Sequence, residues 1–370
     1  MAVLAALAAV TLVVSAVPAG AGAEALAGGT TRIELNRALF SELKRDRVKV
    51  EKIGTGTVGG RSVDLPVSGG SVDVGTAIGS IAFAGGFKFR TGKRVVRLNE
   101  LLLDTQKGEL NALLNGKRLQ IASLMPFQSS RAGFGDEIDV AALKLNKQAS
   151  ALLNRKLGLT NVFRPKRAFA SLASNVQPQA IRMAGGEMQF SLDPGTVAKL
   201  KSLGVDPVSF ETATLGAEPP AYSAPLIQGE IYPAESRSWG FLEGGIRLAR
   251  PAPPEPPETP GPIITFPVIT LINLGLSLET QKLLGYVHVH DEAAQPAPAP
   301  AGPIAALDFS GATVQLDPLT RTLSIANVRA TLEAPFANLI NETFATPKGK
   351  APVLAAGDPL GTFSLTMQSR

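Results

Sequence analysis

VDLPVSGGSVD at 63–73 and YSAPLIQGEIY at 222–232 carry proline and glycine at matching places, 159 positions apart: Pro66 answers Pro225, and the Gly69-Gly70 turn answers Gly229. At the same offset, Gly85-Gly86 of AFAGGFKF returns as Gly244-Gly245 of FLEGGIRL. Farther on, LLLDTQK (101–107) matches LSLETQK (276–282), now 175 apart; the 16 added positions correspond to a Pro-rich stretch, 251–267, that the first copy lacks. IASL (121–124) then answers IAAL (304–307), and Leu145, Leu152 and Asn154 answer Leu332, Leu339 and Asn341. Offsets that only grow, each step explained by an insertion, mark a duplicated domain. A unit of roughly 160 residues can hold its own core, which makes tandem domains the reading and not a solenoid.

Composition agrees. The 370 residues are 45% hydrophobic and 18% charged, enough to fill real cores. Many Gly and Pro, few aromatics and short alternating runs such as SVDLPV (62–67), SIAF (80–83) and RVVRL (94–98) favour short antiparallel strands joined by tight turns. Each copy opens with a strand and a short helix. Asn36 caps a helix that turns Leu39 and Leu43 inward; Asp193-Pro194 starts one carrying Val197, Leu200 and Leu203, ended by Gly204. A second helical stretch follows in each, 146–159 and 333–344, placed to close the open end of a sheet. The expected fold is mainly β: two antiparallel β-sandwich-like domains, 31–175 and 187–370, each with one or two short helices.

The chain has no Cys, which excludes disulfides, thiolate chemistry and Cys-ligated zinc. Residues 1–23 read as an export signal, an apolar run broken by Pro18 and followed by Ala21-Gly22-Ala23; no other span is expected, and the protein is expected outside the cell or at its envelope. Charge is uneven. Residues 31–175 hold 24 Lys/Arg against 12 Asp/Glu, whereas 176–370 hold 12 against 18. Arg90, Lys93, Arg94 and Arg97 are the candidate anion-binding surface. Its expected partner is an anionic envelope polymer or another envelope protein; nucleic acid is not expected, since no stacking aromatics interleave these charges.

No catalytic constellation stands out, so a non-enzymatic binding or structural role is expected, with a secreted hydrolase the remote alternative. His288 and His290 are the only histidines, and no G-x-S-x-G, phosphate loop or H-E-x-x-H occurs. Tyr286, His288 and His290 fall on one face of a strand, with ideal spacing of about 6.8 Å between neighbours. Two readings stay open: a haem or metal site, or a half-exposed strand facing solvent. The matched positions in the first copy are Asn111, Leu113 and Asn115. Trp239, the single tryptophan, is expected in a core.

The segments 65–105, 225–248 and 190–205 resemble the HtaA domain family of actinobacterial exported proteins. The resemblance covers nearly all the chain beyond the export segment and implies haem capture. In haem-binding members a tyrosine ligates the iron and a histidine supports it, the histidine lying close to the Gly-Gly turn. The corresponding places here hold Phe83 and Leu242.

Overall fold

The computed structural model describes residues 23–114, 116–216, 221–235, 237–251, 267–291, 301–344 and 352–369. The expected export segment lies outside them except for Ala23, and the Pro-rich stretch except for Pro251 and Pro267. The chain divides into two compact units, 1–178 and 179–370.

In the first unit, β1 (Ala23–Leu35) leads into α1 (Arg37–Arg45). Then come β2 (Lys49–Ile53), β3 (Thr57–Gly59), β4 (Ser62–Asp73), β5 (Gly79–Phe83), β6 (Gly86–Thr91), β7 (Arg94–Asp104) and β8 (Glu109–Leu114). The unit ends with β9 (Lys117–Leu124), β10 (Phe127–Ala132), β11 (Gly135–Leu145), α2 (Lys147–Leu157) and β12 (Ala168–Pro178). The second unit repeats the order: β13 (Ile181–Leu192), α3 (Pro194–Ser202), β14 (Asp206–Phe210), β15 (Thr214–Leu215), β16 (Ala221–Tyr232), β17 (Arg237–Leu242) and β18 (Gly245–Ala249). After these run β19 (Pro267–Ser277), β20 (Lys282–Asp291), β21 (Ala301–Asp308), β22 (Gln315–Asp317), β23 (Thr322–Leu332), α4 (Ala334–Phe344) and β24 (Pro359–Ser369).

Each sheet closes on itself. The first runs β7-β5-β4-β1-β12-β11-β9-β8 and returns to β7; the second runs β19-β17-β16-β13-β24-β23-β21-β20 and returns to β19. Two layers of a sandwich are thus two walls of one antiparallel barrel, whose eight strands leave room only for side chains. Closure depends on β7 and β19 each serving two partners on one side. The first half of β7 pairs with β6 and its second half with β5, and a bulge at Glu100 (φ 46°) turns the strand between them. Asn273 (φ 51°) does the same in β19.

The helices form for local reasons. The Asn36 side chain accepts from the Ala38 and Leu39 amides, and Asp193 accepts from Thr196. Leu39 and Leu43 face the core from α1. From α2, Leu153 and Leu157 are buried; nearby, Phe163 meets Phe89 edge-on at 5.1 Å and Phe89 meets Phe87 at 5.6 Å. Fully burying each such side chain contributes about 1.5–3 kcal/mol.

The duplication extends to single contacts. The Pro66 carbonyl accepts from Ala84 and the Pro225 carbonyl from Glu243. Gly85 and Gly244 both take positive φ, and a Cβ on Gly86 or Gly245 would lie 2.1 Å from the carbonyl oxygen of Leu98 or Leu271. Asn154 and Asn341 each bond the loop after their helix. Glu42 of α1 meets Arg167 at 3.5 Å, whereas Lys199 of α3 meets Asp358 at 2.6 Å: one ion pair with its charges exchanged.

Three sequence expectations are corrected. Gly69-Gly70 is no turn; it lies within β4, beside a bulge between Val67 and Gly69. The match of 101–107 with 276–282 is two residues out. Leu103 pairs with Ile81 and Leu276 with Gly240, so Leu103 corresponds to Leu276, 173 positions on, and the jump in offset is 14. The match of IASL with IAAL is also two out, because Ile121 accepts from Asn146 and Ala306 from Glu333 in equivalent bonds. A two-residue slip keeps every side chain on its own face, so alternation could not reveal it. Tyr286 therefore stands where the first unit has Leu113, and not Asn111.

Candidate functional site

Inward positions Leu283, Gly285 and Val287 of β20 are buried, while Tyr286 is 40% exposed and His288 half-buried on the outer wall. The shared face expected of Tyr286 and His288 is present. His290 pairs through its backbone with Val268; its side chain lies outside the described residues.

Register places an apolar patch around Tyr286. Phe241, Gly275, Leu284 and Ala305 stand side by side across four neighbouring strands, and Ile272, Tyr286 and Pro303 form the next row. Phe241 lies over Gly275, where a Cβ would sit 3.7 Å from the ring. Trp239 extends the patch, its ring 5.3 Å from that of Phe241. It is half-buried on this outer wall and not in the core, because it alternates with Ser238 and Gly240, which face inward. The same rows in the first unit read Ala82, Leu102, Asn111, Gln120 and Asn99, Leu113, Arg118, and Arg118 is bound to Glu100 at 2.8 Å. One barrel wears a polar wall where the other wears an apolar one.

Haem needs an axial donor beside an apolar surface. The first unit contains no Tyr, His or Cys, and the wall equivalent to the patch is polar, so it does not fit the group. Phe83 and Leu242, at the family's histidine places, are buried inside the barrels. Of the three tyrosines, Tyr222 is buried, which pushes its hydroxyl far above the usual phenol range. Tyr232 donates to Glu230 at 2.7 Å and lies under the Arg237 guanidinium; the Glu230 bond raises it too. Tyr286 remains as the reachable donor, and the second barrel fits. Among the described residues, no three His, Cys, Asp or Glu gather to hold a bare metal ion, and no helix is long and apolar enough to cross a membrane.

The four candidate cations separate. Arg90 and Lys88 share Glu51, each at 3.1 Å, and the Lys88 bond, with Arg90 adding, holds that carboxyl below its ordinary range. Arg97 is on the outer face opposite Lys88. Lys93 and Arg94, at the β6–β7 turn, join Arg45 around a cleft. The outward apolar rows and the Arg45 contribution escaped sequence reading, since both require the strand register.

No protein-family model matches this chain, and no curated protein matches its sequence. Among solved structures, it is similar to the C-terminal domain of HtaA from Corynebacterium glutamicum (14% identity, 40% of this chain and 98% of that one, TM-score 0.30). It is similar also to the N-terminal domain of that HtaA (9%, 50% and 97%, TM-score 0.29). A third is the heme-binding protein HtaB from the same organism (13%, 52% and 96%, TM-score 0.30).

Proposed function

We propose that this chain is a non-enzymatic haem-binding protein acting outside the cell or at its envelope, with its site on the outer wall of the second barrel. One observation carries the reading: the single accessible, uncommitted tyrosine is set in a contiguous apolar patch, with a histidine two residues along the same face. A phenolate is a suitable axial donor for haem iron, and an apolar wall suits the porphyrin plane. Tyr286 and His288 project from one face, so Tyr286 would hold the iron, with His288 two residues along beside it. Phe241, Ile272, Leu284 and Pro303 supply the wall. The HtaA resemblance in the sequence points to the same ligand, and export rests on the segment 1–23.

Haemin titration of the full chain, followed by the Soret band, tests this. One haem per chain is expected. Two equivalents would contradict the assignment to the second barrel, and none would remove the reading. A second reading, an envelope-binding protein without haem, is favoured by the cationic end of the first barrel.

A further inference from the structure

Arg45 and Asp46 at the end of α1, the turn Thr91–Arg94 and residues 157–160 at the end of α2 border an open cleft of about 620 Å³. Arg45 lies 3.6 Å from Asp46; Lys93 and Arg94 have no carboxylate partner among the described residues. Arg47, Arg155 and Lys156 stand close by in sequence, and none has an ion pair there either.

A structural explanation would have these cations offset the negative ends of α1 and α2. Each helix end carries only about half a charge. Three cations against Asp46 and two such ends leave about one positive charge inside the cleft, before Arg47, Arg155 and Lys156 are added. For α2 the second barrel shows that the helix does not need them, whereas α3, the counterpart of α1, keeps Lys199 and Lys201 in its own last turn. The positions of Arg45, Arg47, Arg94, Arg155 and Lys156 are there Ser202, Gly204, Pro267, Glu342 and Thr343, and α4 ends with no basic residue in its last turn. Arg94 is also held in place. Gly158, the left-handed cap of α2 (φ 70°), leaves space that its guanidinium fills, since a Cβ there would lie 1.3 Å from Nη1.

We infer that this cleft binds phosphate groups of a soluble polyanionic chain. Guanidinium forks and an ammonium match phosphate oxygens, Thr91 and Thr160 line the same space, and the outer cations extend the charge to neighbouring groups of a polymer. With no aromatic in the lining, bases have nothing to stack on. This inference is independent of the haem site.

The test uses the full chain with a fluorescent inorganic polyphosphate and, separately, phosphatidylglycerol vesicles. Polyphosphate binding is expected at ~0.05 M salt and should be lost towards ~0.5 M, as screening shortens. Lys93→Gln with Arg45→Gln should weaken it by about tenfold, and adding Arg94→Gln further, while Arg97→Gln changes it less than about twofold. The first variant leaves Arg94 packed against the Gly158 cap of α2, so its melting should match the parent. No polyphosphate binding at low salt, binding to vesicles alone, or equal losses from the cleft and Arg97 variants would overturn the inference.

Discussion

The two barrels share a frame and differ in ways of two kinds. Some differences cancel within the frame. Thr31 and Ser174, paired across β1 and β12, share a buried hydrogen bond of 2.6 Å; their counterparts are Met188 and Leu365, equally paired and wholly apolar. Glu42 and Arg167 become Lys199 and Asp358, keeping the contact and exchanging its ends. Other differences have no compensation inside the fold. The wall row Ala82, Leu102, Asn111, Gln120 becomes Phe241, Gly275, Leu284, Ala305, and the cations around Arg94 have no counterparts. Paired changes preserve packing, whereas the unpaired changes lie at the two surfaces proposed to bind ligands.

Phe89→Ala should cost about 3–5 kcal/mol in the first barrel, because the ring is buried between Phe87 and Phe163. Denaturant unfolding should show that loss confined to one of two transitions if the barrels unfold independently. Next is the buried hydroxyl pair. Thr31→Val should cost about 1–3 kcal/mol by leaving Ser174 without its partner, and adding Ser174→Ala should restore most of it. An additive double variant would deny that the pair acts as a unit.

Asp136 sharpens the contrast, for its counterpart is the buried Leu323. Burial holds its carboxyl above the ordinary value, against the lowering effect of the Gly75 amide, which donates at 2.9 Å. The folded chain therefore keeps this proton to higher pH than the unfolded chain does. Stability of the first barrel should fall as pH rises from the ordinary carboxylate value through the raised one, then stay level. Asp136→Asn should remove that fall, as melting across pH would show; an unchanged profile would assign it elsewhere. The smallest effect is at the exchanged ion pair. Glu42→Lys should cost about 1 kcal/mol, and adding Arg167→Asp should recover part of it, since Arg164, also 3.7 Å from Glu42, would then face the new lysine.

Local features were legible in the sequence because their causes are local. Asn36 and Asp193 announce their helices by capping chemistry, and Gly85-Gly86 announces its repeat because no other residue fits. Closure was not legible. It turns on Glu100 and Asn273 at positive φ; asparagine tolerates that conformation better than most residues, but the matching Glu100 gives no such signal. The shared face of Tyr286 and His288 followed from alternation alone. Its apolar surroundings did not, since Phe241, Ile272 and Leu284 reach Tyr286 only through strand register, and period-two patterns are blind to a shift of two. Trp239 misled for a related reason: tryptophan suggests a core, and only its pairing with Glu230 and Ser277 places it on the outer wall.

On the proposed function, Tyr286 would hold iron from an apolar wall that only the second barrel has. Absorption spectra of the haemin-loaded full chain decide this, parent against Tyr286→Phe, with Tyr232→Phe as the control. A Soret band and a tyrosinate charge-transfer feature are expected in the parent and in Tyr232→Phe, and both should be lost in Tyr286→Phe. A parent-like spectrum in Tyr286→Phe would contradict it.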